Sequence, residues 1–174
     1  QTKPTQVLPE DFPTVDVLIP TYNEPIDLVK ETAIGAVNMV YPQQKLKIYI
    51  CDDGATDDRF NSHDKEISKL AKTRRTELKK ICQELGITYL TRPANIKAKA
   101  GNLTSALEST NGDLVVVLDA DHIPSQDFLA RTVGYFEDRD LCLVQTPHHF
   151  INLDPIHRNL ELPDHCPCEI GRAH

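Results

Sequence analysis

Tryptophan is missing altogether, cysteine is scarce at five residues in 174, and Lys+Arg number 19 against 26 Asp+Glu, a formal net charge of −7. The acidic balance removes the electrostatic footprint that non-specific binding to nucleic acid or to an anionic membrane requires. An odd handful of cysteines spread over a chain of this length is not the disulfide framework of a small secreted domain, so a reducing cytosolic setting is the default. No apolar run exceeds five residues, 114–118, whereas a bilayer span takes about 20, and no signal-peptide pattern opens the chain. Neither G-x-x-x-x-G-K-[ST] nor G-x-G-x-x-G occurs, which excludes a P-loop and the usual dinucleotide fingerprint as the means of holding phosphate. What remains has the length of about one domain, enough to bury one core without disulfide or metal staples.

Proline punctuates what is present. Seven of the 12 prolines fall in residues 1–13 and 147–174, where a fixed φ and a missing donor disfavour helix interiors and central strands. Residues 1–12 therefore read as an extended lead-in and 148–174 as an extended tail, with a domain over 13–147 between them. Inside it, β-rich runs at 15–20, 46–51, 87–90, 114–118 and 141–145 alternate with stretches of helical period. Helices are expected at 26–39, at 64–85 with Gly86 as its stop, at 98–107, and from an N-cap at Ser125 to about 136. The alternation predicts an α/β fold, a Rossmann-like, mostly parallel sheet flanked by helices. The unbroken apolar run 114–118 predicts a strand buried on both faces near the centre of that sheet.

Three polar clusters sit just past the carboxyl ends of predicted strands: Thr21 to Glu24, Asp52-Asp53, and Asp119-Ala120-Asp121. Open α/β sheets bind their ligands at such ends. One acidic pair after a strand is more often a solvated turn than a site, but three at equivalent positions favour a site. Carboxylates two apart at a strand end can both face a hard divalent cation, Mg²⁺ or Mn²⁺, whose coordination the phosphates of a nucleoside diphosphate derivative would complete. Lys97 and Lys99 open a predicted helix, where exposed backbone N–H groups and the helix dipole favour phosphate, though plain solvent exposure explains them equally well. The basic residues Lys72, Arg74, Arg75, Lys79 and Lys80 read as a solvated helix face. Cys51, Cys82 and Cys142 read as small core residues. His165-Cys166-Pro167-Cys168 with His174 lacks the second Cys pair of a zinc site, and His148-His149 are compatible with a pocket lining or with an ordinary loop.

Taken together, Val17-Leu18-Ile19-Pro20-Thr21-Tyr22-Asn23-Glu24, Asp52-Asp53-Gly54-Ala55-Thr56-Asp57, Lys99-Ala100-Gly101-Asn102, Leu118-Asp119-Ala120-Asp121 and Gln145-Thr146-Pro147 resemble the processive inverting glycosyltransferases of family 2. The run VQTPHHFINLDPIHRNLEL, residues 144–162, is especially similar to the bacterial cellulose synthases among them. The resemblance covers roughly residues 12–168. It implies a GT-A fold, UDP-glucose as donor, a β-1,4-glucan as acceptor and product, and Mg²⁺ (or Mn²⁺) as cofactor. It also implies roles: Thr21, Tyr22 and Glu24 in a uridine pocket, Asp52 and Asp53 at uracil and ribose, and Lys99 on the diphosphate. Asp119 and Asp121 become the D-x-D that holds UDP through the metal, and Gln145, Thr146 and Pro147 border the donor sugar.

Two motifs of that family are absent. The T-E-D whose Asp is the general base for the acceptor hydroxyl occurs nowhere in the chain, and the missing tryptophan rules out Q-x-x-R-W. Residues 169–174 do not match the family's continuation. The expectation is therefore the donor-binding part of a cytosolic catalytic domain, truncated on its C-terminal side and inactive alone. The resemblance places the intact enzyme in the bacterial inner membrane, with a cyclic-di-GMP-binding domain and a periplasmic partner subunit. The donor motifs are shared widely enough to leave two alternatives, a synthase of another glucan, hyaluronan or a lipid-linked sugar, and a non-catalytic nucleotide-sugar-binding module.

Overall fold

Seven consecutive residues, Val15–Thr21, are buried without exception and form β1, an inner strand of the sheet. This is seen in a computed structural model, which describes residues 11–147. Helix α1, Ile26–Val37, follows, then β2, Leu46–Asp52, a short α2, Asp57–Phe60, and the long α3, Lys65–Leu85. Strand β3, Thr88–Leu90, helix α4, Ala98–Leu107, strand β4, Leu114–Val117, and a short α5, Phe128–Thr132, complete the series. The four strands lie in the order β3-β2-β1-β4 and every pairing is parallel.

The sheet has helices on both faces because its strands alternate two sets of apolar side chains. Val15, Val17, Ile19, Ile48 and Ile50 pack with Val29, Ala33 and Ala36 of α1 and Leu78, Ile81 and Cys82 of α3. Leu18, Tyr49 and Cys51 point the other way and meet Ala106 and Leu103 of α4. Such period-two burial on both sides is what a parallel sheet requires. Helix α3 begins and ends where expected: Asp64 accepts from the Glu66 and Ile67 N–H groups at 2.9 and 3.3 Å, and Gly86 closes it at φ 67°.

Three expectations are corrected. The run 114–118 is not central: among the described residues β4 is an edge strand, with Val115 and Val117 41% and 45% exposed, and β1 and β2 occupy the interior. The fifth strand at 141–145 does not form. Asp138 draws that chain into a turn instead, accepting the Leu141 N–H on its carbonyl at 3.0 Å and the Asp140 N–H on its carboxylate at 3.1 Å. The helix expected at 125–136 is only α5 followed by a 3-10 segment, Val133–Glu137. Its sequence Thr132-Val133-Gly134 combines β-branching with glycine, and the Thr132 hydroxyl donates back to the Phe128 carbonyl at 2.8 Å, both unfavourable to a continued α-helix. Ser125 does not cap it, donating to the Asp127 carboxylate at 2.8 Å.

The chain divides into two compact units after Cys142. In the second, the described residues 143–147 are coil. Among the described residues no helix is long and apolar enough to cross a membrane. Replacing Asp64 with Ala removes the acceptor for two helix-start N–H groups, and urea denaturation is expected to show a loss of about 1 kcal/mol.

Candidate active site

The strand order fixes where a ligand can go. From β1 the chain winds outward through β2 to β3, then crosses back to place β4 on the opposite side of β1. The reversal lies between β1 and β4, and such a switch point opens a crevice at the carboxyl ends of its strands. The clusters after β1, β2 and β4 are therefore neighbours at one edge of the sheet.

At the end of β1, the Glu24 carboxylate folds back over its own turn. Its Oε2 accepts from the Thr21 hydroxyl at 2.8 Å and from the Tyr22 N–H at 2.6 Å. Partial burial pushes the Glu24 carboxyl up, but those hydrogen bonds and the nearby Arg74 charge outweigh it and hold it below its ordinary value. The exposed Tyr22 ring has the Arg59 guanidinium 5.4 Å from its centroid, and Arg59 also donates to the Tyr22 hydroxyl at 3.2 Å.

At the end of β2, Asp52 and Asp53 are both buried. Asp52 Oδ1 accepts from the Gly54 N–H at 2.9 Å and from Arg74 Nε at 2.8 Å, and its Oδ2 from the Tyr89 hydroxyl at 2.9 Å. Arg74 also donates to Thr21 Oγ1 at 2.7 Å and to the Glu24 carbonyl at 2.9 Å, tying the β1 turn to the β2 end. Gly54 permits this closeness, since a Cβ there would lie 2.1 Å from the Tyr22 carbonyl oxygen and 2.5 Å from Arg74 Nε. Asp53 is held in a fork by Arg92, with Nε to Oδ1 at 2.7 Å and Nη2 to Oδ2 at 2.6 Å. In this conformation neither aspartate presents an exposed carboxylate.

Arg92 reaches further, donating to the carbonyls of Ile96 and Ala98 at 2.6 and 3.0 Å. This pins the loop before α4, where Lys97 and Ala98 are left-handed at φ 60° and 45°. Lys99 thereby stands in the first turn of α4 facing the end of β4, and its ammonium pairs with Asp119 Oδ1.

Past β4 the chain turns sharply, with the His122 N–H donating to the Asp119 carbonyl at 2.9 Å. The turn brings Asp119, Asp121 and His122 together with one ligand atom of each within 4.8 Å of the others. His122 Nδ1 lies 3.9 Å from Asp119 Oδ2, and its Nε2 lies 3.7 Å from Asp121 Oδ1. The two carboxylates, Asp119 partly exposed and Asp121 exposed, supply oxygen ligands of the kind that Mg²⁺ or Mn²⁺ takes, with the imidazole as a softer donor beside them. Behind them the buried Thr32 hydroxyl donates to the Ala120 carbonyl at 2.8 Å, fixing the turn to α1.

Thr21, Tyr22, Glu24, Asp52, Asp53, Lys99, Asp119 and Asp121 thus all stand at the ends of the three adjacent strands or on the α4 start that faces them. Gln145, Thr146 and Pro147 lie in the coil of the second unit. His148-His149 and the His165 to His174 cluster fall outside the described residues. The basic face of α3 is corrected: Lys72, Lys79 and Lys80 are exposed, but Arg74 and Arg75 turn inward, Arg75 donating to the Ala55 carbonyl and pairing with Asp57 at 2.9 Å. Arg92 and His122 were not singled out from the sequence. His122 carried a signal, standing one residue past the D-x-D, whereas nothing local marks Arg92. Cys142 is also corrected, being exposed, while Cys51 and Cys82 are buried.

A parallel sheet with acidic strand ends at its switch point is the frame of a GT-A glycosyltransferase, and the family described as Glycosyl transferase family 2 matches residues 16–170. The chain belongs to that family. Its curated relatives include cellulose synthase catalytic subunits. That of Pseudomonas fluorescens is 40% identical over 154 residues, 88% of this chain and 18% of the relative. That of Xanthomonas axonopodis pv. citri is 41% identical over 166 residues, 93% of this chain and 20% of the relative. The chain spans about a fifth of such relatives' length. Among solved structures, the mannosyltransferase PcManGT of Pyrobaculum calidifontis, in complex with GDP-Man and Mn²⁺, superposes with a TM-score of 0.56 at 28% identity, covering 75% of this chain and 34% of its own. S. aureus TarS 1-349 shares the fold, with a TM-score of 0.51 at 16% identity, over 73% of this chain and 33% of that one.

Two outcomes are expected from this geometry. Arg92→Met strands the buried Asp53 charge and should cost about 3–5 kcal/mol in urea denaturation, while adding Asp53→Asn to it should restore part of the loss. Burial pushes the Cys51 thiol up to about 12 and the Cys82 thiol to about 11. Both stay protonated at pH 8, so a disulfide reagent applied to the native protein should modify Cys142 long before either, as peptide mapping will show.

Proposed function

We propose that this chain forms the donor-binding part of a cellulose synthase catalytic domain. It would bind UDP-glucose with Mg²⁺ or Mn²⁺ and present the glucose for inverting, processive transfer to the 4-hydroxyl of a growing β-1,4-glucan. The observation that carries the reading is the meeting of three acidic strand ends at the switch point, in a chain about 40% identical to cellulose synthase catalytic subunits. The PcManGT complex supports the metal part of it, since that structure contains both GDP-Man and Mn²⁺.

In this reading Thr21, Tyr22 and Glu24 line the uridine pocket, with the turn held rigid by the Glu24 carboxylate. Asp52 and Asp53 form the wall at uracil and ribose, and they act by fixing Arg74 and Arg92. Lys99 contacts the diphosphate, and Asp119, Asp121 and His122 hold the cation. Gln145, Thr146 and Pro147 border the donor sugar. Bound there, the cation would neutralise charge that develops on departing UDP. The residues of this chain bind and orient the donor, and deprotonation of the acceptor falls to a T-E-D aspartate outside these 174 residues. The whole enzyme, in the same reading, is a bacterial inner-membrane protein with its catalytic domain in the cytoplasm. It has a cyclic-di-GMP-binding domain and a periplasmic partner.

Calorimetric titration tests the donor site. UDP should bind in the presence of Mn²⁺, GDP should bind more weakly, and Asp119→Ala/Asp121→Ala should lose the Mn²⁺-dependent part. Equal binding by the wild type and that double variant would remove the carboxylates from the site.

A further inference from the structure

The two kinds of ion pair at the strand ends differ in a way that bears on how the cation arrives. Asp53 and Arg92 are sealed from solvent, with side chains 3% and 8% exposed, whereas Lys99 and Asp119 are open at 54% and 44%. A sealed pair cannot exchange partners without stranding a buried charge. An exposed one contributes little to stability and exchanges readily.

The open pair also sits on the D-x-D. Lys99 covers Asp119 Oδ1, and His122 Nδ1 lies 3.9 Å from the other oxygen. A divalent cation approaching Asp119 alone must therefore displace an ammonium or bind beside it against the repulsion of like charges. Lys99 itself stays beside the site. Its backbone is fixed at the first turn of α4, behind a loop that Arg92 holds through the carbonyls of Ile96 and Ala98. Its stem is long and flexible and it carries three donors, so a short swing can exchange one anionic partner for another.

We infer that Lys99 is a charge placeholder at the D-x-D: its ammonium occupies Asp119 in the nucleotide-free protein, holds off the bare cation, and passes to the diphosphate when metal and nucleotide arrive together. This rests on the reading of the site as a metal–diphosphate site. A diphosphate gives the displaced ammonium a new anion, so each of the two ligands favours the other, and the coupling is reciprocal. The cation enters with the nucleotide, and the D-x-D is not loaded by free metal beforehand. Simple surface pairing, the alternative, predicts no such coupling through Lys99.

The test measures Mn²⁺ affinity of the 174-residue chain by calorimetry or by electron paramagnetic resonance, with and without saturating UDP, in the wild type, Lys99→Met and Lys99→Arg. Circular dichroism melting confirms that each variant is folded. In the wild type, UDP should tighten Mn²⁺ binding about tenfold or more. Lys99→Met should bind Mn²⁺ alone about three- to tenfold more tightly than the wild type and show a tightening by UDP that is smaller by at least that factor, the remainder coming from direct ligation of the cation by the diphosphate, while Lys99→Arg should keep the wild-type pattern. Mn²⁺ affinity without UDP that is equal or weaker in Lys99→Met overturns the placeholder role even if UDP still tightens Mn²⁺ in the wild type. A wild-type Mn²⁺ affinity indifferent to UDP overturns the metal–diphosphate reading itself and the inference with it.

Discussion

Two buried aspartates side by side at the end of β2 would be untenable without counter-charge, and the arrangement of the site follows from how that charge is supplied. Arg74 comes from the middle of α3 and Arg92 from the loop after β3, and each brings a guanidinium to one carboxylate. Planar guanidinium groups with several donors can meet a carboxylate and still have donors left for carbonyls. Those spare donors do the positioning. Arg74 takes the Glu24 carbonyl and the Thr21 hydroxyl and so sets the β1 turn. Arg92 takes the Ile96 and Ala98 carbonyls and so sets the start of α4, from which Lys99 reaches Asp119. A chain of polar contacts thus runs from the end of β2 outward to both neighbouring clusters.

Along that chain solvent exposure rises, and the physical character of the charges changes with it. The inner pairs are desolvated and bonded on nearly every oxygen, so they act as framework. At the outer end Asp119, Asp121 and His122 are partly open to water and their contacts are longer or exchangeable. A site for a hydrated cation and a diphosphate needs that gradient. In the proposed reading, rigid walls would hold the nucleoside in place, while the metal end would give up its resting partners when ligands arrive.

How much of this was legible in the sequence depended on whether the signal was local. Helix α3 could be read because its period, its Asp64 cap and its Gly86 stop all lie within the segment itself. The three acidic clusters could be read because each follows directly on an apolar strand. Arg74 could not be separated from Lys72, Lys79 and Lys80, since the turn of the helix that aims it at Asp52 depends on where the sheet lies. Arg92 is 39 residues from Asp53 in sequence, and no spacing rule connects a loop arginine to a strand-end aspartate at that distance. The misplacing of β4 has a similar cause. Five apolar residues in a row look the same whether a strand has neighbours on both sides or on one, and only the order β3-β2-β1-β4 decides it.

The D-x-D of the proposed metal site follows a strand that lies at the sheet edge among the described residues, with a neighbour on one side only, so its register depends on what else fixes it. Here both ends of β4 are anchored to buried partners. At its start, the buried Asp16 carboxylate of β1 accepts the Asn111 and Gly112 N–H groups at 2.9 and 2.6 Å, which sets Val15 opposite Leu114 and Leu18 opposite Val117. Past its end, the Leu118 N–H donates to the Leu18 carbonyl at 3.0 Å and the Thr32 hydroxyl holds the Ala120 carbonyl. A slip of one residue would send Asp119 and Asp121 to the opposite side of the sheet and break both anchors at once. The backbone beneath the D-x-D is therefore held at both ends of β4 although its side chains stand partly in solvent, a combination that would let Lys99 exchange partners, in the inferred role, without the motif itself moving.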